Sequence, residues 1–276
     1  MQQNQSSGSA LIRIALGVEY DGSHFAGWQK QANPELPTVQ FELEAALSKI
    51  ADHPVTIVCA GRTDRGVHAT GQVVHFDVKI DRGVKAWIKG SNSLLPASIA
   101  VKWAHAVGED FHARFSATAR RYLYVLYEST IVPALLNNQL SHTPVALDVE
   151  LMAQAGQYLL GENDFSSFRA AGCQSKSPNR CIHWLKVARV NRFVVIDIKA
   201  NAFLQHMVRN IAGMLLEVGG AGKPPKWAQE LLLLRDRTAG GVTASPNGLY
   251  LIEVDYPDQF SLPESESIPS FLQPYS

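Results

Sequence analysis

The stretch "CAGRTDRGVHATGQVVHFD" (Cys59–Asp77) decides how the first half of the chain folds. Its last seven residues read as a β-strand of period two, and the apolar run "VTIVCA" (55–60) that leads into it reads as another. A plain hairpin between these strands needs only a short glycine-containing turn. The connection carries Arg62, Asp64 and Arg65 instead. Charged side chains on a loop that a rigid sheet supports are typical of a functional site.

The chain on either side completes an α+β pattern. For the first half the sequence predicts a strand at 11–20, a helix from the Thr38 cap to Ile50, strands at 55–60 and 71–77, a short helix near 84–90, a loop at 91–96, and strands at 99–107 and 120–128. For the second half it predicts a helix at 151–160 with Asp148 near its start, a hairpin of strands 183–190 and 193–200, helices at 201–218 and 224–234, and a strand at 248–256. The two halves are alike in element order. The predicted fold class is therefore α+β, with two ferredoxin-like, or RRM-like, α/β domains that carry antiparallel sheets.

Composition shifts along the chain predict where the domains end. Residues 129–147 are rich in Pro, Asn, Ser and Thr, which is typical of a linker. We therefore expect an N-terminal domain at 11–128, which carries Asp64, and a C-terminal domain at 148–257. The polar residues 1–10 are expected to form a flexible tail, and residues 258–276 a loosely held one.

The overall composition is that of a soluble globular protein. The chain has 276 residues, of which 46% are hydrophobic and 18% charged, and it lacks an apolar run of membrane-spanning length. Its first residues lack the basic and apolar regions of a signal peptide. Three cysteines without a CxxC pair argue against a disulfide framework and against a zinc site. We expect no membrane association and a cytoplasmic location, where thiols stay reduced.

Charge is unevenly distributed although the net charge is zero. Residues 60–125 hold 10 Lys and Arg against 5 Asp and Glu, and residues 161–210 hold 8 against 3. The remaining residues are correspondingly acidic. Two basic segments that fold onto one face would suit a nucleic acid, whereas chance clustering of solvated charge is the simpler interpretation.

Six sequence blocks, in a fixed order, resemble the tRNA pseudouridine synthase A (TruA) family. The first is "AGRTDRGVHA", which is similar to the signature of that family. The others extend the resemblance from about Ile12 to Pro257, and they are "YDGSHFAGWQKQ" (20–31), "FHARFSATARRYLYVLY" (111–127), "NDFSSFR" (163–169), "NAFLQHMVRNIAG" (201–213) and "GLYLIEVDYP" (248–257). Six ordered blocks are far more specific than one short motif.

The resemblance implies a pseudouridine synthase fold and an isomerase. Such an enzyme converts uridine to pseudouridine at positions 38, 39 and 40 in the anticodon stem-loop of tRNA. The uracil is detached from ribose at N1, turned, and rejoined through C5. The resemblance also implies that the enzyme uses no cofactor and no metal. It further implies a homodimer in which both subunits shape the tRNA groove.

By resemblance, Asp64 is the catalytic aspartate and Arg209 the arginine that pairs with it. A carboxylate is suited to attack uracil C6 or ribose C1′, or to take the ribose C2′ proton, and the sequence leaves these three mechanisms open. Arg62 is expected to help turn the target base out of the stem, and Tyr122 to stack on it. One departure from the family pattern is Arg65, which stands where a small residue is common.

Further tRNA contacts are implied by the same blocks. Arg114, Arg120 and Arg121 are expected to contact phosphates. The remaining substrate-binding residues that the resemblance implies are Arg82, Phe111, His112, Ala113, Phe115, Gly172, Cys173, Gln174, Ser175 and Lys176.

Each assignment has a purely structural alternative. Asp64 would cap a turn in which Gly66 supplies a positive φ, Arg209 would lie on a helix surface, and Tyr122 would belong to a core aromatic ladder with Tyr124. At the level of function, the alternatives are an RNA-binding module without catalysis and a metal-dependent hydrolase or deaminase. The sequence lacks the Gly-Phe-rich strand motif that RRM modules carry. It also lacks the clusters of metal ligands that a metal-dependent enzyme needs. The segment "GGAGK" (219–223) follows a helix and does not form a phosphate loop.

Overall fold

A computed structural model describes residues 11–31, 36–264 and 268–275. The predicted tail at 1–10 lies outside these residues. The strands are β1 Ile12–Tyr20, β2 Val58–Cys59, β3 His68–Val78, β4 Ile99–Val107, β5 Ala119–Glu128, β6 Ser141–Thr143, β7 Gly161–Asp164, β8 Asn179–Val190, β9 Phe193–Ala200 and β10 Leu249–Asp255. The helices are α1 Val39–Ala51, α2 Ser91–Leu94, α3 Val149–Gln157, α4 Met207–Gly219 and α5 Trp227–Leu234.

All ten strands belong to one sheet. Its main path runs β4-β1-β3-β10-β5-β9-β8-β7, with β2 beside β3 and β6 beside β5. Neighbours are antiparallel except for the pairs β3–β10 and β5–β6. The α+β prediction with largely antiparallel pairing is therefore confirmed.

The strand order repeats within this sheet. The path β4-β1-β3-β2 and the path β10-β5-β9-β8 both follow the ferredoxin-like order, and the parallel pair β3–β10 joins them. By pairing, β5 is the first strand of the second unit, although the sequence grouped it with the first half. A continuous sheet does not by itself define a domain boundary, so the division at 129–147 stays a prediction.

The two faces of the sheet are buried by different partners. On β5, Tyr122, Tyr124 and Leu126 point into the largest hydrophobic cluster, beneath α1, α3 and α4. Leu123 and Val125 point into a separate cluster on the opposite face. This alternation follows from the period of two that the sequence predicted. It places Tyr122 on the helix-covered face.

Residues after β10 cover part of that opposite face. Phe260 packs edge-on against Phe111 at 5.1 Å between ring centroids, and Leu272 is fully buried. The prediction of a loosely held C-terminal tail was wrong for these residues. The sheet leaves apolar side chains on both faces, and burial of Phe260 and Leu272 removes some of that surface from water.

Helix boundaries differ from the predictions at three places. The predicted helix at 201–218 begins only at Met207, because His206 has φ 62° and is left-handed. The predicted loop at 91–96 contains α2, which continues a π-helical turn at Ala86–Gly90. The helix predicted at 224–234 begins at Trp227.

Two predicted helix starts are confirmed. Thr38 caps α1 by accepting from the Phe41 amide at 3.4 Å, and Asp148 caps α3. The strand predicted at 55–60 is reduced to Val58–Cys59. Among the described residues, no helix is long and apolar enough to cross a lipid bilayer.

Candidate active site

A cleft of about 1020 Å³ opens on the helix-covered face, where the two units meet. One wall is the loop 60–67, which connects β2 to β3 in the first unit. The facing wall includes residues 202–209, which lead from β9 into α4 of the second unit. Tyr122 of β5 lies between them. The charged stretch between β2 and β3 therefore lines this cleft.

The loop 60–67 is tied to the sheet by a buried glutamine. Gln72 on β3 is fully buried, and its side-chain amide donates to the Gly61 carbonyl at 2.6 Å and accepts from the Gly61 amide at 3.3 Å. Two residues further on, Thr63 Oγ1 lies 2.8 Å from the Tyr20 hydroxyl. These buried hydrogen bonds fix the backbone on the N-terminal side of Asp64.

A tight turn fixes the C-terminal side of Asp64. The Val67 amide donates to the Asp64 carbonyl at 3.2 Å, and Gly66 has φ 78°, as the third residue of a type II turn requires. Gly27 approaches the same loop so closely that a Cβ there would lie 3.1 Å from the Thr63 carbonyl oxygen. The predicted positive φ at Gly66 is confirmed. The turn directs the Asp64 side chain toward α4.

One oxygen of Asp64 faces two nitrogen atoms from the start of α4. Oδ2 lies 3.4 Å from Arg209 Nη1 and 3.3 Å from His206 Nε2. About a third of the Asp64 side chain is exposed, compared with 15% of Arg209. Arg209 is anchored in turn, because its Nε donates to the Ala244 carbonyl at 2.8 Å. The expected pair of Asp64 and Arg209 is thus brought together through Oδ2.

Sequence reasoning missed His206. It is one of nine histidines in the chain, and it stands three residues before Arg209. Residues three apart share one face of a helix, and this spacing was the available signal. Its left-handed backbone was not visible in the sequence.

Tyr122 forms the floor of the cleft. It is 8% exposed, and its ring meets Phe203 edge-on at 5.1 Å between centroids. Burial raises the pKa of the Tyr122 phenol, and the nearby Asp64 charge acts in the same direction. The phenol therefore stays protonated at neutral pH and presents an aromatic surface with a hydrogen-bond donor.

Positive side chains dominate the rest of the lining. Asp64 is the single carboxylate among the described lining residues, and the cations beside it are Lys30, Arg62, Arg65, Arg114, Arg120, Arg180 and Arg209. Such a concentration of one sign favours a polyanion. Among the described residues, no cluster of three or more His, Cys, Asp and Glu side chains is arranged to hold a metal ion.

Two of the arginines predicted to contact phosphates have partners within the protein. Arg120 donates to four backbone carbonyls, of which Arg114 at 2.7 Å and Ala60 at 3.1 Å are the closest, so its guanidinium joins the loops around the cleft. Arg121 points to the opposite face and binds Asp197 through two nitrogens at 2.9 and 2.7 Å. These partners give both guanidiniums a role within the protein, and their phosphate contacts stay predictions.

The segment 111–115 divides between core and surface. Phe111 and Ala113 are fully buried, and Ala113 donates to His75 Nδ1 at 3.0 Å and accepts from the Tyr256 hydroxyl at 2.6 Å. Their contact with tRNA stays a prediction. Phe115 is 76% exposed and stacks on His112 with 4.4 Å between ring centroids.

The remaining residues that were predicted to contact tRNA differ in whether they line the cleft. Residues 172–175 line the cleft, opposite the loop 60–67, and Lys176 is exposed directly beside them. Arg82 is exposed and donates weakly to the Ala51 carbonyl at 3.4 Å. It does not line the cleft, so the structure does not place Arg82 with the other predicted contacts.

Comparison with known proteins identifies relatives of this chain along most of its length. A family model described as tRNA pseudouridine synthase matches residues 17–116 and 155–257. The protein from Vibrio cholerae serotype O1 named tRNA pseudouridine synthase A is 59% identical over 95% of this chain and 98% of its own length. Proteins of the same name from Histophilus somni and Pectobacterium atrosepticum are 57% and 55% identical, and each match covers 95% of this chain and 96% and 92% of the relative.

The family model spans parts of both ferredoxin-like units, and it includes the loop 60–67 and the start of α4. The site that these elements build and the extent of the similarity lead to one conclusion: the chain belongs to the tRNA pseudouridine synthase family.

Proposed function

We propose that this protein isomerises uridine to pseudouridine at positions 38, 39 and 40 in the anticodon stem-loop of tRNA, and that Asp64 carries the chemistry. The observation that carries the proposal is the placement of Asp64. It is the single carboxylate among the described residues of a cation-lined cleft, with one oxygen held by Arg209 and His206.

The contacts to Oδ2 are proposed to give the two carboxylate oxygens of Asp64 different roles. Arg209 and His206 hold Oδ2, so Oδ1 is the atom available to the target nucleotide. Attack on ribose C1′, attack on uracil C6 and removal of the C2′ proton all use such an oxygen. Each route breaks the bond between N1 and C1′ and forms the bond between C5 and C1′. Because the backbone is fixed on both sides of Asp64, the carboxylate needs no reorganisation before it reacts.

Tyr122 and Arg62 are proposed to receive the base. A uracil inside a stem is inaccessible to Asp64, so the nucleotide has to leave the stack. The Tyr122 ring at the floor of the cleft offers a surface on which a base can turn. Arg62, two residues before Asp64, lines the cleft and is proposed to occupy the space that the base vacates.

The cations around the cleft are proposed to bind the tRNA backbone. Arg114 and Arg65 are exposed at its edge, and residues 172–176 add polar groups on the facing wall. Backbone contacts of this kind fix the register of a nucleic acid without reading its sequence.

A homodimer in the cytoplasm is part of the proposal. The segment 131–136 supports self-association, because Ile131 and Leu135 are 76% and 84% exposed and Val132 is 53% exposed. Apolar side chains clustered at the surface favour a protein partner. Light scattering on the wild type and on a triple Ser variant of these positions tests it; a monomeric wild type would exclude the dimer.

A single assay tests the activity. Unmodified tRNA is incubated with the protein, and pseudouridine is mapped by carbodiimide-blocked primer extension. We expect stops at positions 38, 39 and 40 with the wild type and none with Asp64→Asn. If wild-type protein binds the tRNA tightly and leaves every uridine unchanged, the alternative of an RNA-binding protein without catalysis is correct.

A further inference from the structure

The isomerisation requires a proton to move between two atoms of the uracil. When C5 has bonded to C1′, C5 still carries its hydrogen, and N1 is joined to C6 by a double bond. Removal of that hydrogen as a proton moves the C–H electron pair into a C5–C6 double bond. The pair of the N1–C6 double bond then moves onto N1, which takes up a proton. Atoms and electrons balance, and some group has to accept one proton and supply another.

The groups around the cleft differ in their capacity to do this. Burial raises the pKa of the Cys59 thiol to about 12, and burial also raises the pKa of the Tyr122 phenol, so both are weak bases at neutral pH. Lysine and arginine side chains are already protonated. Histidine is the side chain that exchanges a proton most readily near neutral pH, and His206 is the one histidine among the described lining residues.

His206 also lies beside Asp64, the residue proposed to act on the nucleotide. Its Nε2 lies 3.3 Å from Asp64 Oδ2, and about a third of its side chain is open to the cleft. An imidazole that donates from Nε2 to a carboxylate accepts at Nδ1. The carboxylate stabilises the imidazolium that results, as the aspartate does in serine protease triads.

We infer that His206 takes the C5 proton of the rejoined uracil at Nδ1 and returns a proton to N1 or to solvent. The inference rests on the proposed function, and it assigns to a second residue a step that Asp64 would otherwise perform. In this scheme Asp64 acts on the nucleotide through Oδ1 and orients His206 through Oδ2. Proton transfer by a positioned side chain contributes about 10² to 10⁴-fold to a rate.

The backbone of His206 decides which variants are informative. With φ 62° it lies in the left-handed region, which asparagine and glycine adopt more easily than other residues. His206→Asn therefore keeps the start of α4 and a hydrogen-bond donor, but it does not carry a proton at neutral pH. His206→Gly leaves a space that free imidazole can enter. His183→Asn, at an exposed histidine of β8 outside the cleft lining, is the matched control.

The experiment measures single-turnover pseudouridine formation with enzyme in excess, on tRNA transcribed with ordinary uridine or with uridine deuterated at C5. For His206→Asn we expect turnover to fall by about 10²-fold. The rate ratio between hydrogen and deuterium should rise above that of the wild type. Imidazole should restore turnover to His206→Gly, and His183→Asn should match the wild type.

Two results would overturn the inference. Turnover that slows in both variants without a larger isotope ratio and without rescue by imidazole would make His206 a residue that only holds Asp64. Wild-type turnover in His206→Asn would leave the proton transfer to Asp64. Filter binding and thermal melts exclude loss of tRNA affinity or of folding. A wild-type protein that forms no pseudouridine would instead refute the proposed function, so the two failures are distinguishable.

Discussion

The two walls of the cleft are built in opposite ways. The loop 60–67, which we call the anchored wall, is fixed by buried hydrogen bonds to Gln72 and Tyr20 and by a turn at Gly66. Residues 170–176, which we call the open wall, include the cleft-lining residues 172–175, and Gly172 and Gln174 are exposed. The contacts that hold the open wall include a bond from Arg169 to the Cys173 carbonyl at 2.7 Å and one from the Ala170 amide to the Gln205 carbonyl at 3.0 Å.

The difference corresponds to two requirements of an RNA-modifying site. A reacting carboxylate has to be held within a fraction of an ångström, because a small displacement costs large factors in rate. Backbone binding tolerates more movement, and a large substrate needs one side of the cleft to be accessible. We therefore expect changes in the anchored wall to act on turnover and stability, and changes in the open wall to act weakly on affinity.

The largest effect is expected at Asp64. Asp64→Asn keeps the shape of the side chain and the turn, but an amide is neither a nucleophile nor a base at neutral pH. Single-turnover pseudouridine formation should fall by at least about 10³-fold, whereas tRNA affinity in a filter-binding assay should change little. Turnover close to wild type in a folded Asp64→Asn protein would reduce Asp64 to a turn residue.

Gln72 tests the anchoring itself. Gln72→Met keeps the volume but leaves the Gly61 amide and carbonyl without their buried partner, so the free energy of unfolding should fall by about 2–4 kcal/mol. Turnover should also fall, by about tenfold to 10²-fold, because the loop that carries Asp64 loses its support. Urea denaturation and single-turnover kinetics measure the two effects.

The same substitution on the open wall is the matched control. Gln174→Met changes an exposed residue, and we expect a change in unfolding free energy within about 0.5 kcal/mol. If the two substitutions lower the free energy of unfolding equally, the proposed difference between the walls is wrong.

Local features of the fold were predictable from the sequence. Strand periodicity placed Tyr122, Tyr124 and Leu126 on one face, and polar residues such as Thr38 marked helix starts, because both signals depend on neighbouring residues. Non-local contacts were not predictable. The burial of Leu272 depends on a sheet surface that is assembled from strands far away in sequence.

The candidate site also has features that the sequence predicted and features that it did not. The sequence blocks identified Asp64 and Arg209, which are 145 positions apart and meet in the cleft. They did not separate Arg120 from Arg121. Strand alternation places adjacent residues on opposite faces, but the partner of Arg121 is Asp197, which lies 76 positions along the chain. Pairing at that distance is fixed by the register between β5 and β9.

The exposed and the paired arginines should differ in their effect on binding. Arg114→Gln removes a cation at the edge of the cleft, and we expect the slope of log affinity against log salt to decrease by about 1. Arg121→Gln should leave that slope unchanged, because Asp197 and Glu253 already neutralise Arg121. It should instead lower the free energy of unfolding by about 3 kcal/mol, since Asp197 is buried. A reduced salt slope in Arg121→Gln would return Arg121 to the tRNA interface.

The smallest effect is expected from a chemical probe of both walls. Burial opposes ionisation of Cys173, but the Ser175 and Gln205 amides and the Arg169 guanidinium outweigh it and lower the pKa of this thiol. Burial raises the pKa of Cys59, on the side of the anchored wall, to about 12. Because the thiolate is the reactive form, iodoacetamide at neutral pH should modify Cys173 well before Cys59, as peptide mass spectrometry would show.

Bound tRNA should slow the reaction at Cys173. The modified protein should lose at most about tenfold in tRNA affinity, which is about 1.4 kcal/mol, and turnover at saturating tRNA should be nearly unchanged. Cys173→Ser should resist this loss while keeping wild-type turnover. Faster modification of Cys59 would mean that the anchored wall opens more readily than the open one, which would reverse the comparison.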